Sequence, residues 1–173
     1  MAGILICGLN GAGKSTLGKA LAKALNSRFI DSEDLYFPRT DPRDAYAAPW
    51  TRDEVEQLLL REIDAHPHFV FASVKGDYGD EILARFQYAI LVDVPKELRM
   101  RRVRDRSFRA FGNRMLPGGD LYEREERFFA AVQSRADDMV EAWAQTLRCP
   151  VIRVDGTRPV EESVTAILRQ LEK

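Results

Sequence analysis

Residues 8–16 read Gly8-Leu9-Asn10-Gly11-Ala12-Gly13-Lys14-Ser15-Thr16 and match the pattern GxxxxGK[ST]. The apolar run Gly3 to Cys7 precedes them and predicts a strand, while Leu17, Leu21 and Leu25 follow at the spacing of a helix. Glycines allow the backbone to turn so that successive N–H groups point inward, and the N-terminal end of the following helix adds positive potential. The segment therefore predicts a strand, an anion-binding turn and a helix.

A loop of this kind, called the P-loop below, holds the phosphates of a nucleotide. Lys14 would bridge the β- and γ-phosphates of ATP, and Ser15 would ligate Mg²⁺. We therefore expect ATP and Mg²⁺ as cofactors. The expected contacts to them come from Gly8, Asn10, Gly11, Ala12, Gly13, Lys14, Ser15 and Thr16.

Apolar runs of strand length alternate with longer segments of helical period along the rest of the chain. The expected strands are Gly3 to Cys7, Arg28 to Asp31, Phe69 to Ser73, Tyr88 to Val92 and Val151 to Val154. Most of these runs are apolar on both faces, as buried parallel strands require. The pattern predicts an α/β fold in three layers, with a five-stranded parallel sheet between helices, and one domain over residues 1–173.

Caps and prolines mark the expected helix starts. Thr51 and Glu54 form a capping box, and Pro95 and Pro159 suit the first turns of two further helices. Residues 121–147 are expected to form one long helical stretch that packs on the core. Residues 36–50 and 107–119 lack clear periodicity, so we expect functional loops there.

The bulk composition predicts a soluble, cytoplasmic protein. The chain has 173 residues, a formal net charge of −1 and two cysteines, Cys7 and Cys149, which we expect to be free thiols of a reducing compartment. The apolar run before the P-loop is too short to span a membrane. The arginines cluster in one patch between positions 99 and 114 without several interleaved aromatic residues, so a nucleic-acid partner is not expected.

Acidic residues follow two of the expected strands. Asp31, Glu33 and Asp34 follow the second strand, and Asp93 follows the fourth. Ligands of a parallel sheet gather at the carboxyl ends of its strands, so Asp31 and Glu33 could serve a metal and an attacking hydroxyl, or could form a solvated turn or helix cap. For Asp93 both a metal-directed acid and a helix cap remain open.

Taken together, the P-loop, the run Phe29-Ile30-Asp31-Ser32-Glu33 and the arginine-rich segment after the fourth strand resemble the shikimate kinase, gluconate kinase and nucleoside-monophosphate kinase superfamily. The resemblance covers nearly the whole chain. It implies a P-loop fold of the nucleoside-monophosphate kinase type with a lid at residues 107–119. It also implies that Asp31 serves Mg²⁺ and that Glu33 serves the substrate hydroxyl, with Asp34 as a rival for the second role.

The same resemblance suggests further site residues. Lys75 stands in a segment similar to Ser-x-Leu-Lys-x-x-Tyr of gluconate kinases, whose lysine lies near the substrate, whereas the triple glycine of shikimate kinases is missing here. The lid position implies that Arg102, Arg106 and Arg109 neutralise the transferring phosphoryl group, although a solvated basic helix face is the alternative. The loop 155–159, which includes Arg158, would hold the adenine, or would form only a turn and a helix cap. The expected catalytic residues are thus Lys14, Asp31, Glu33, Arg102, Arg106 and Arg109.

Residues 36–66 form the expected substrate segment, in which Arg39 and Arg43 would contact a small anionic or ring-bearing acceptor. The leading hypothesis is an ATP-dependent phosphotransferase that moves the γ-phosphate to a hydroxyl of a sugar acid, sugar, nucleoside or antibiotic. The alternatives are a nucleoside-monophosphate kinase and a regulatory protein that binds or hydrolyses ATP without transfer. The expected partner is a small molecule, and the chain is expected to be a monomer or a homodimer.

Overall fold

The computed structural model describes residues 3–37 and 49–171. The elements in chain order are β1 (Gly3–Cys7), α1 (Lys14–Ala24), β2 (Arg28–Asp31), α2 (Ser32–Tyr36), α3 (Arg52–Ala65), β3 (Phe69–Ala72), α4 (Asp80–Leu83), β4 (Phe86–Asp93), α5 (Lys96–Phe111), a 3-10 helix (Gly112–Met115), α6 (Tyr122–Gln133), α7 (Met139–Ala144), β5 (Val151–Asp155) and α8 (Val160–Leu171). Each of the five expected strands is present within two residues of its expected bounds.

The five strands form one parallel sheet in the order β2-β3-β1-β4-β5. The strand that leads into the P-loop, β1, lies in the centre, where Leu5 pairs with Phe71 of β3 and with Ala89 of β4. Because all strands point the same way, the chain segments after β1, β2, β3 and β4 leave the sheet at one edge. The predicted α/β fold with a five-stranded parallel sheet is confirmed.

Helices cover both faces of the sheet. Along β1, Leu5 packs in one apolar cluster with Leu59 of α3, whereas its neighbour Ile4 packs in a second cluster with Leu21 of α1 and Ile167 of α8. Successive side chains of a strand point to opposite faces, so this separation places the two clusters on opposite sides of the sheet. The architecture is the predicted three-layer α/β/α arrangement.

The predicted capping box at Thr51 is present. The Thr51 Oγ1 accepts a hydrogen bond from the Glu54 backbone N–H at 3.3 Å, and the Glu54 carboxylate accepts one from the Thr51 backbone N–H at 2.8 Å. Val55, Leu59 and Ile63 then lie buried on one face of α3. The sequence therefore determines both the start of α3 and the face that it packs.

Residues 121–147 do not form one continuous helical stretch, which corrects the expectation from the sequence. Helix α6 ends at Gln133, and α7 begins only at Met139. The intervening turn is held by two contacts to other parts of the fold, one from Arg135 to the Asn10 side chain and one from Arg99 to Asp137 at 2.7 Å. Local periodicity cannot predict this break, because its anchors are distant in sequence.

Residues 107–119 are mostly helical rather than a loop. Helix α5 continues to Phe111 and the 3-10 helix to Met115, because Val103, Met115 and Phe129 pack together in a third apolar cluster. Gly112, with φ 56°, ends α5 in a conformation that glycine adopts readily. The function of this segment as a lid stays a prediction.

The two cysteines are free, as expected, and Cys7 lies fully buried in β1. Burial raises the pKa of the Cys7 thiol to about 12 and also raises the pKa of the half-buried Cys149 thiol. Within residues 3–37 and 49–171, none of the helices has the length and apolar character needed to cross a membrane. The cytoplasmic location stays a prediction.

Candidate functional site

The P-loop joins β1 to α1 at the carboxyl edge of the sheet. Gly11 and Gly13 have φ values of 82° and 92°, a region that other residues adopt only under strain. A Cβ atom on Gly11 would stand 2.3 Å from the backbone oxygen of Arg99 in α5. The loop therefore needs glycine both for its turn and for its close contact with α5.

The Lys14 ammonium group lies inside this turn. Its Nζ donates a hydrogen bond to the Leu9 backbone oxygen at 3.1 Å. Desolvation lowers the pKa of Lys14 to about 8, because the favourable charge of Asp31 only partly compensates for it and Arg106 lowers the pKa further. A cation in this position lacks a full counter-charge within the protein, and a bound phosphate group would provide one.

A cavity of about 430 Å³, called the phosphate cavity below, lies over the P-loop and the first turn of α1. Its charged lining residues, Lys14, Arg102, Arg106, Arg109 and Arg158, are all cations. The full described lining is Gly11, Ala12, Gly13, Lys14, Ser15, Thr16, Leu17, Arg102, Val103, Arg106, Arg109, Gly156, Arg158, Val160 and Ser163. Such an excess of positive charge suits a polyanion.

Most residues predicted to bind ATP line this cavity, but two P-loop residues do not. Asn10 lines a second cavity, and Gly8 lines a third one beside Asp93 and Arg99. Sequence reasoning missed the uncharged residues Leu17, Val103, Val160 and Ser163, whereas Gly156 belongs to the loop 155–159 that was expected to hold the adenine.

Arg102 joins the P-loop to the loop after β5. Both its Nη atoms donate to the Gly156 backbone oxygen at 3.2 Å, and Nη1 also lies 3.4 Å from the Gly11 backbone oxygen. In this structure the guanidinium therefore holds two walls of the phosphate cavity together. Its predicted contact with a transferring phosphoryl group stays a prediction.

The acids after β2 meet the arginine helix at this edge. Asp31 caps α2, because its Oδ1 accepts a hydrogen bond from the Glu33 backbone N–H at 3.0 Å. The Glu33 carboxylate in turn accepts a hydrogen bond from Arg106 Nη1 at 3.3 Å. Asp34 is exposed and lines neither the phosphate cavity nor the second cavity. Asp31 and Glu33 thus lie close to Lys14, and both raise its pKa.

The second cavity, called the ring cavity below, has a volume of about 280 Å³ and lies beside the phosphate cavity. It is lined by Asn10, Glu33, Phe37, Arg106, Ser107, Ala110, Phe111, Arg124, Glu125 and Phe128. Arg106 lines both cavities. The ring cavity therefore adjoins the phosphate cavity at the Arg106–Glu33 ion pair.

One wall of the ring cavity is an ion pair between the half-buried Arg124 and the buried Glu125, which sequence analysis missed. Glu125 is 5% exposed and accepts a hydrogen bond from Arg124 Nε at 3.2 Å. The Arg124 guanidinium also packs 4.9 Å from the centre of the Phe111 ring. The only sequence signal was indirect: Arg124 and Phe128, like Ser107 and Phe111, are four residues apart and so share a helix face.

Two arginines of the cluster pair with acids of the 120–127 segment. Arg114 pairs with Asp120 at 2.6 Å, and Arg104 pairs with Glu126 at 3.0 Å. The hydrogen bond from Arg114 lowers the pKa of Asp120. Arg106 and Arg109 instead line the phosphate cavity, so the cluster divides into paired surface residues and residues at the site.

Lys75, the remaining predicted substrate residue that the structure describes, is not brought into either cavity. Lys75 is half-buried in the segment after β3, and the linings of both cavities lack it. Arg39 and Arg43 lie outside the described residues. The segment 36–66 contributes one described residue, Phe37, to the ring cavity, while α3 packs on the core.

Asp93 does not cap α5, so that interpretation is wrong. The N-cap position of α5 is Pro95, and Asp93 is exposed at the end of β4.

Sequence analysis did not identify Arg135, although its guanidinium donates a hydrogen bond to the side chain of the P-loop residue Asn10.

The chemistry of the donor set fits Mg²⁺. Ser15 and Asp31 offer oxygen atoms near the P-loop, and Mg²⁺ prefers one or two protein oxygens combined with phosphate oxygens and water. Within residues 3–37 and 49–171, no group of three or more His, Cys, Asp or Glu residues could hold a metal ion. The binding of Mg²⁺ by Ser15 and Asp31 beside a nucleotide stays a prediction.

A parallel sheet with a glycine-rich phosphate loop after its central strand, followed by a helix and a cationic cavity, defines a P-loop protein. The chain belongs to the AAA domain family, whose sequence profile matches residues 4–114.

The chain is also similar to individual proteins and solved structures. The "Uncharacterized protein YqaC" of Bacillus subtilis (strain 168) is 28% identical over 97% of this chain and 96% of its own length. The gluconokinase of Arabidopsis thaliana is 54% identical over a segment that covers 35% of this chain and 36% of that protein. The crystal structure of shikimate kinase from Aquifex aeolicus vf5 superimposes with a TM-score of 0.59 at 21% identity, over 98% of this chain and 96% of that chain. The shared fold is thus that of shikimate kinase.

Proposed function

We propose that this protein is an ATP-dependent phosphotransferase that moves the γ-phosphate of ATP to a hydroxyl group of a small molecule. One observation carries the proposal: a cationic cavity over the P-loop and a second, separate cavity share Arg106. A protein that only hydrolyses ATP needs no second binding site at the end of the phosphate chain. A kinase needs one, because the acceptor must lie beside the transferring phosphoryl group.

The phosphate cavity supplies the charge for this reaction. ATP with Mg²⁺ provides the reactive phosphoryl group, and the described residues bind and orient it. Lys14 and the P-loop N–H groups would hold the β- and γ-phosphates, and Arg109 would add positive charge near the transferring group. The excess of cations in the lining supports this assignment.

Arg106 and Glu33 would change partners when the nucleotide binds. Their side chains are 48% and 34% exposed, and an ion pair with such exposure contributes about 0–1 kcal/mol. A triphosphate would therefore compete successfully for Arg106. The Glu33 carboxylate could then accept the proton of the attacking hydroxyl.

The relatives support the reaction class but do not fix the acceptor. The curated match to a gluconokinase covers about a third of either chain, and the structural match to a shikimate kinase is at 21% identity. Phosphoryl transfer to a small-molecule hydroxyl is the activity that these two names share.

The test is ADP release from ATP and Mg²⁺ by the pure protein, with and without an acceptor panel of sugar acids, sugars, nucleosides, nucleoside monophosphates and aminoglycosides. We expect acceptor-stimulated release that Lys14→Ala abolishes. Lys23→Ala is the matched control, because Lys23 is exposed in the last turn of the same helix. Release at the same rate with every acceptor and with none would indicate a hydrolase and refute the kinase proposal.

A further inference from the structure

The two cavities differ in charge, and this difference bears on the acceptor. The phosphate cavity has five cationic lining residues and no acidic one among those described. In the ring cavity, the described charges cancel, because Arg106 pairs with Glu33 and Arg124 pairs with Glu125. An anionic acceptor would find no unmatched cation in this lining.

The rest of the ring cavity is largely apolar and aromatic. Phe37, Phe111 and Phe128 supply aromatic rings from the end of α2, from α5 and from α6, and the small side chain of Ala110 also lines the cavity. Aromatic walls favour a flat ring through offset or edge-on contacts. A polyhydroxylated sugar acid would instead leave several hydroxyl groups and a carboxylate against apolar carbon, which is unfavourable.

The ring cavity has a volume of about 280 Å³, which is room for a ring system. A short polar arm on that ring would extend toward Arg106 and Glu33, where the ring cavity adjoins the phosphate cavity.

We propose that the phosphoryl acceptor is a neutral alcohol whose flat, nitrogen-bearing ring occupies the ring cavity, with nucleosides as the representative class. The buried Glu125 carboxylate accepts a hydrogen bond from an N–H group of the ring, and Glu33 receives the hydroxyl on the polar arm. The acceptor oxygen forms the new bond to phosphorus as the bond to ADP breaks, and its proton passes to Glu33. This inference rests on the proposed kinase function and narrows its substrate.

The experiment compares neutral acceptors with anionic ones. Adenosine, guanosine, cytidine and thymidine are each paired with the corresponding 5′-monophosphate, and gluconate and shikimate serve as anionic non-aromatic probes. Binding is measured by titration calorimetry and transfer by ADP release. We expect at least one nucleoside to bind and to stimulate release with a KM at least tenfold below that of its monophosphate.

Two substitutions to tryptophan test whether the acceptor binds in the ring cavity. Ala110→Trp fills the cavity from an exposed helix position, so the fold should tolerate it, and it should raise the KM for the nucleoside at least tenfold without changing the KM for ATP. Ala131→Trp, at an exposed position of α6 that does not line the cavity, is the matched control. Glu125→Gln should also raise the KM for the nucleoside, with unchanged ATP binding as evidence of folding.

The outcomes separate the inference from the kinase proposal. Stimulation by gluconate, shikimate or the monophosphates, and not by nucleosides, would overturn the inference and leave the kinase standing. Nucleoside binding that Ala110→Trp blocks, without ADP release, would support the ring ligand and overturn the transfer reaction. No binding of any nucleoside would overturn the inference.

Discussion

The pKa of Lys14 predicts that nucleotide binding takes up a proton at alkaline pH. Desolvation lowers this pKa to about 8 in the ligand-free protein. A bound triphosphate would stabilise the charged ammonium and restore a pKa near or above the ordinary value of about 10.4. Between these two pKa values, the free protein carries a neutral amine and the complex carries a cation.

The size of the effect follows from the protonated fraction of Lys14. That fraction falls from about nine-tenths at pH 7 to about one-tenth at pH 9, so the affinity for ATP should fall about tenfold, or about 1.4 kcal/mol, over this range. The proton uptake on binding should be about 0.5 at pH 8 and about 0.9 at pH 9.

Titration calorimetry in two buffers of different ionisation enthalpy measures this uptake directly. Lys14→Arg is the matched control, since its guanidinium stays protonated and should bind ATP with no uptake above pH 8. An affinity for ATP that is independent of pH between 7 and 9, with no proton uptake by the unsubstituted protein, would refute the reasoning.

Three further predictions concern single positions. Gly11→Ala should lower the free energy of unfolding by about 2 kcal/mol or more, measured by urea denaturation, because its Cβ would stand 2.3 Å from the Arg99 oxygen. Gly118→Ala is the control, because Gly118 also has a positive φ but a Cβ there would meet nothing within 4 Å, so it should cost less. Equal losses of stability in the two variants would contradict the steric argument. Thr51→Ala should cost about 1 kcal/mol in the same assay through loss of the capping box, and an unchanged midpoint would contradict this. Glu33→Gln should lower kcat about 10² to 10⁴-fold with little change in the KM for ATP, whereas Asp34→Asn should stay within about twofold; the reverse result would make Asp34 the residue that receives the hydroxyl proton.

The fold was predictable because its signals are local. The P-loop pattern lies between an apolar strand and a helical period, and the capping box at Thr51 starts α3 where the spacing predicted. The order of the strands and the break between α6 and α7 were not predictable. The break is held by contacts of Arg135 with Asn10 and of Arg99 with Asp137. The strand order depends on backbone pairing between distant segments, such as that of Leu5 with Phe71 and with Ala89.

The candidate site divides in the same way. The sequence by itself determined the phosphate-binding part of the site, because one contiguous loop supplies Lys14, Ser15 and the backbone N–H groups. The residue types of this loop are sufficient to predict its chemistry. Only the tertiary structure revealed the cavity that we propose for the acceptor. The ring cavity forms where the end of α2 approaches α5 and α6, so that Phe37, Phe111 and Phe128 line one cavity. The buried Glu125 carboxylate and the half-buried Arg124 guanidinium form an ion pair in its wall. Packing between helices that are distant in sequence creates that cavity, and the hydrophobic periodicity of a single helix cannot predict it.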